Sequence, residues 1–144
     1  MRSFTAQELL SAYHRNFAGN KFLEINSAGV SAESYFKIPQ QVIKFLKSQS
    51  IENFNHVPKL VTEELVDWAD IILVMEDWHY DVIADKYPQS MRKMRLFLDF
   101  ATGNNINLAD PMGKSDEHLN KTFLTIKDSI RKIFDKLLKT AGSV

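Results

Sequence analysis

Arg2 and Ser3, followed by Thr5-Ala6-Gln7-Glu8, are the first residues whose types and spacing suggest chemistry. Thr5 can cap a helix N-terminus with Glu8 reaching back from three residues on, and Ala6, Leu9, Leu10, Tyr13 and Phe17 then share one helical face. On that reading Arg2 and Ser3 lie just ahead of a helix N-terminus. Backbone N–H groups and the positive end of the helix dipole converge there, and a guanidinium can grip two phosphate oxygens at once, so the position suits an anion. An Arg-Ser pair beside a methionine is also an ordinary surface feature, and on these residues alone both readings stand. Asp110-Pro111-Met112-Gly113 is the second place of interest: a carboxyl group ahead of a proline, readable as an acid or as a tight turn.

The elements that must position these groups alternate. The first helix is expected to stop near Gly19, and Phe22 to Asn26 reads as a short strand ended by Ser27-Ala28-Gly29. Pro39 is placed to open a second helix with Val42, Phe45 and Leu46 buried, and Thr62 caps a short helix running through Trp68. Ile71 to Met75 is an apolar run too short for a helix and bounded by acids, the pattern of a strand covered on both faces of a parallel sheet. Asp77 can cap a helix to about Lys86 that Pro88 stops, Met94 to Leu98 is a further strand candidate, and Thr102 to Lys114 is a long polar loop. Ser115 caps a last helix with Leu119, Phe123, Ile126, Ile130, Ile133, Phe134 and Leu137 on one stripe. Strands alternating with helices predict an α/β fold with a parallel sheet, and any site is then expected beyond the carboxyl ends of the strands.

Composition narrows the function classes. With 144 residues, 44% hydrophobic and 25% charged, the chain fits one globular domain over residues 1–144. Eighteen basic and eighteen acidic residues cancel, which gives no electrostatic pull toward nucleic acid or membrane. No cysteine is present, so disulfides, cysteine-ligated zinc and thiol chemistry are outside these residues. His14, His56, His79 and His118 show no metal-ligand spacing, and His79 reads as a partly buried histidine at a helix start. Trp68 and Trp78 flank the apolar strand and read as packing. No bilayer-length apolar run or signal-peptide pattern is seen, so a cytoplasmic location is the default expectation.

Four stretches, taken together and in order, resemble the low-molecular-weight protein tyrosine phosphatase family: Arg2-Ser3 with Thr5 to Leu9, Asn26-Ser27-Ala28-Gly29-Val30, Ala69 to Glu76 with His79, and Asp110-Pro111-Met112-Gly113-Lys114. The resemblance implies a three-layer α/β fold, a parallel sheet with helices on both faces, and a phosphate loop of the form Cys-x5-Arg-Ser. It also implies hydrolysis of phosphotyrosine through a cysteinyl-phosphate intermediate. Arg2 would hold the phosphoryl oxygens, Ser3 would support the thiolate, and Asp110 would protonate the leaving oxygen and later activate water. Tyr35 and Phe36 would line the slot for the substrate ring, with a core-anchoring role equally open to them. The substrate would be a phosphotyrosine protein or a small phosphate ester, with no metal or organic cofactor; a homodimer is left open.

The chain departs from this family at its centre, because the nucleophilic cysteine, most of the phosphate loop and the first strand have no counterpart in it. Ser3 has no adjacent general base to make it a nucleophile. Three readings follow: a phosphatase whose written sequence starts late, a non-catalytic relative that binds phosphate or a partner, and, requiring several cysteines, an arsenate reductase of the same fold. The family's first strand would lie between the strands at residues 22–26 and 71–75. Without it those two strands are expected to pair directly, to borrow a strand from another copy, or to leave a marginal fold.

Overall fold

The computed structural model describes residues 2–17, 23–30, 38–52, 59–111 and 113–142. Gly19, Phe22, Tyr35, Phe36, His56 and Met112, all singled out above, lie outside them. The chain forms two compact units, one of residues 1–27, 37–56 and 111–144, the other of residues 28–36 and 57–110.

The first unit is built from three helices that pack on one another: α1 (Arg2–Phe17), α2 (Gln40–Ser48) and α6 (Asp116–Gly142). The long apolar stripe of α6 is its spine, with Leu119, Phe123, Ile126, Ile130, Ile133 and Phe134 all buried. Rings lock the helices together, Phe45 of α2 stacking on Phe123 at 5.0 Å and Tyr13 of α1 meeting Phe134 edge-on at 4.8 Å. Pro39 stands at the N-cap of α2, and Val42, Phe45 and Leu46 are buried. Ser115 caps α6, its Oγ accepting from the His118 N–H at 3.2 Å.

Thr5 does not cap α1. The helix begins at Arg2, three residues earlier, so Arg2 and Ser3 belong to its first turn rather than preceding it. Phe4 and Thr5 are buried at 3% and 0% exposure, and extending the helix toward its start is what carries Phe4 into the core.

The second unit holds α3 (Glu63–Trp68), β1 (Ile72–Val74), α4 (Asp77–Lys86), a 3₁₀ turn at Pro88–Lys93, β2 (Met94–Leu96) and α5 (Phe97–Thr102). β1 and β2 pair in parallel, Ile72 opposite Met94 and Val74 opposite Leu96, and this is the sheet among the described residues. Val66, Val74, Ile83, Met94 and Leu96 form its core. Thr62 caps α3 as its sequence predicts, with the Leu65 N–H donating to Oγ1 at 3.2 Å.

Three sequence expectations are corrected here. The second strand ends at Leu96, because Phe97 and Leu98 open α5 with Phe97 buried. The cap residue of α4 is Glu76, one position before Asp77. Residues 23–26, the described part of the strand expected at Phe22 to Asn26, enter no ladder: a segment becomes a strand only when a neighbour supplies backbone hydrogen bonds, and among the described residues none does so. β1 is correspondingly paired along one edge among the described residues. The Asn26–Val30 motif is tied down at Gly29, whose N–H donates to the Lys59 carbonyl while its own carbonyl accepts from Val61, each at 3.0 Å.

Candidate functional site

The candidate residues fall into two groups, one in each unit. Arg2 and Ser3 share the first turn of α1, both half-buried. A first turn presents its backbone N–H groups toward the helix start, where the dipole is positive. That turn holds no acidic residue to compete with an anion, and Arg2 adds a cation to it. One turn further on, the Gln7 side chain accepts from the Ser27 hydroxyl at 2.6 Å, which joins the Asn26-Ser27 motif to the helix bearing Arg2.

Asp110 belongs to the second group, at the carboxyl end of β1. The Leu108 N–H donates to the carbonyl of Met75, the residue after β1, at 2.8 Å, and Leu108 itself is buried. Asn107 Oδ1 accepts from the Asp77 N–H, also at 2.8 Å, and so holds the same loop to the start of α4. On the other side of Asp110, Pro111 is fully buried, and its carbonyl accepts from the Lys114 N–H at 3.0 Å across a turn in which Gly113 has φ of 79°. Asp110 is thus an exposed carboxyl group between two anchored residues, and the turn reading and the acid reading of Asp-Pro-x-Gly are compatible.

His79 is half-buried in the first turn of α4, and its Nδ1 accepts from the Glu76 N–H at 3.2 Å, a local structural role. Trp68 and Trp78 are not packing residues: they are 47% and 50% exposed, because each lies on the outer side of its helix. Among the described residues no three His, Asp or Glu side chains gather as a metal ion would require. Asn107 and Gln7 were not apparent from sequence, since nothing local marks an amide whose partner is 30 or 20 residues away.

The parallel β1–β2 pair with helices before, between and after its strands places the second unit in the α/β class. The model of the low molecular weight phosphotyrosine protein phosphatase family matches residues 1–142, and the chain belongs to that family. It is similar to a protein-arginine-phosphatase of Bacillus subtilis, 28% identical over 133 residues that cover 91% of this chain and 88% of the relative. Among solved structures, the YwlE arginine phosphatase from Geobacillus stearothermophilus superposes with a TM-score of 0.85 at 27% identity, covering 97% of this chain and 87% of that one. A low molecular weight protein tyrosine phosphatase from T. tengcongensis gives 0.84 at 28% identity, covering 94% and 91%. The fold and the family expected from sequence are those found, and the relatives add arginine phosphatases to the tyrosine phosphatases that the sequence suggested.

Proposed function

We propose that these 144 residues form one phosphatase-family domain that binds a phosphorylated protein side chain without hydrolysing it. The observation that carries this is the coexistence of Arg2 in the first turn of α1 with the absence of any cysteine from a member of a cysteine-dependent family. Arg2 would take two phosphoryl oxygens through its guanidinium, and Ser3 and the first-turn amides would complete the cradle. Both phosphotyrosine and phosphoarginine are candidates, the second favoured by the Bacillus subtilis match.

Hydrolysis in this family needs a thiolate to attack phosphorus while an acid protonates the departing atom, followed by water attacking the phosphocysteine as the same group takes up a proton. Asp110 would be that acid and then that base, its loop held to β1 and α4 by the Leu108 and Asn107 hydrogen bonds. Purified protein of this sequence is expected to turn over no p-nitrophenyl phosphate and to bind inorganic phosphate by calorimetry, with binding lost in Arg2→Ala. Turnover that disappears in Arg2→Ala would show a nucleophile within these residues; wild-type protein that binds no phosphate would remove the binding function. Joined to a family-type Cys-x5 segment ahead of Arg2, the chain is expected to become active, with Asp110→Asn lowering kcat more than it alters KM.

A further inference from the structure

We propose that the outer face of α4 is a docking surface for α6 of a second copy of this chain. The inner side of α4 is settled, since Ile83 is buried in the second unit's core with Tyr80 and Ala84 packed against it. Its outer side carries two adjacent rows. Asp77, Asp81 and Asp85 recur every fourth residue and are all exposed, and next to them Trp78 and Val82, also four apart, are 50% and 45% exposed. Glu76 and the three aspartates leave this face net negative, with Lys86 the cation at its far end, in a chain whose net charge is zero. The indole of Trp78 is oriented: its Nε1–H donates to Glu76 Oε2 at 3.1 Å, and its ring lies 4.1 Å from that of His79. An aromatic side chain held this way has little rotamer freedom left to lose on binding.

The complementary surface is on α6. Leu124 is 51% exposed on its outer side, with Lys121 three residues before it, Lys127 three after and Arg131 seven after, all exposed. From Lys121 to Lys139 that helix has six cations against Asp128 and Asp135. At about 1.5 Å of rise per residue, the aspartate row of α4 spans about 12 Å and the Lys121 to Arg131 stretch about 15 Å, so the two match in length as well as in sign. Leu124 against Trp78 and Val82 makes an apolar centre with charged pairs at its rim, the arrangement of a protein–protein interface. Zero net charge removes the long-range repulsion that would keep copies apart.

Sedimentation of the full chain tests this independently of phosphate binding. The sedimentation coefficient is expected to rise with protein concentration at low ionic strength and to lose that rise in about 1 M NaCl, where the screening length is about 3 Å. Charge reversal on one surface, Asp81→Lys with Asp85→Lys, or on the other, Lys121→Glu with Arg131→Glu, is expected to abolish the rise; mixing the two reversed proteins is expected to restore it. Trp68→Phe leaves Trp78 as the only tryptophan, and its emission is expected to move to shorter wavelength over the same concentration range. A constant coefficient in the wild type, a rise retained by either reversed protein, no recovery on mixing, or Trp78 emission that ignores concentration would each overturn the proposal. Should the reversed proteins fail to fold by circular dichroism, the salt and Trp78 measurements on the wild-type surfaces decide it alone.

Discussion

Phe4 shows how one side chain sets the position of a candidate site. Its ring is 3% exposed, and it reaches the core because α1 continues back to Arg2, which places the arginine on a helical turn instead of in a loop. Phe4→Ala is therefore expected to cost about 3–5 kcal/mol of stability, the range for removing a buried aromatic ring, and to weaken phosphate binding as the first turn frays. Urea denaturation measures the first effect; a loss below about 1 kcal/mol would mean that α1 starts at Arg2 for another reason. Arg2→Lys separates charge from geometry at the same turn. The ammonium keeps the positive charge but cannot form two parallel bonds to one phosphate, so binding weaker than in the wild type and stronger than in Arg2→Ala is expected by calorimetry.

Loops and helix starts carry the next set of consequences. Asn107 ties the Asp110 loop to the start of α4, its Oδ1 accepting from the Asp77 N–H. Asn107→Ala should remove about 0.5–1.5 kcal/mol and speed hydrogen exchange at the Asp77 amide, whereas Asn107→Asp, which keeps an acceptor oxygen, should preserve both. Equal behaviour of the two variants would sink the tether. Gly113 supplies a different test. An added Cβ would touch nothing within 4 Å, so Gly113→Ala isolates the cost of its left-handed φ, about 1–2 kcal/mol, without a clash. Gly103, with φ of 80° and equally open space, should respond by a similar amount, and a thermal melt of both variants checks the comparison. Thr62→Ala should cost about 1 kcal/mol through loss of the α3 cap, with Thr62→Ser nearly silent.

At the scale of the whole molecule, charge balance is the dominant property. Eighteen cations against eighteen anions give an isoelectric point near 6.9, and a protein with no net charge has nothing to keep its copies apart. Solubility is expected to pass through a minimum near that pH and to rise on either side; a flat solubility curve would show that local faces, not net charge, govern association. Much of the architecture was legible from residue order alone. The stripe of α6, the buried residues of α2, the Thr62 and Ser115 caps and the apolar run at β1 are local patterns, set by helical or strand spacing and by hydrogen bonds that reach three or four residues. Family membership was legible for the same reason, because its motifs are short and their order survives in the sequence. What only the tertiary structure decided depends on partners far along the chain. The start of α1 at Arg2 with Phe4 in the core, the outward placement of Trp68 and Trp78, and the lack, among the described residues, of a strand beside residues 23–26 were all settled at that level. Likewise Gln7 meets Ser27 and Asn107 meets Asp77 only because folding brings them within hydrogen-bond reach, a contact that no local spacing encodes.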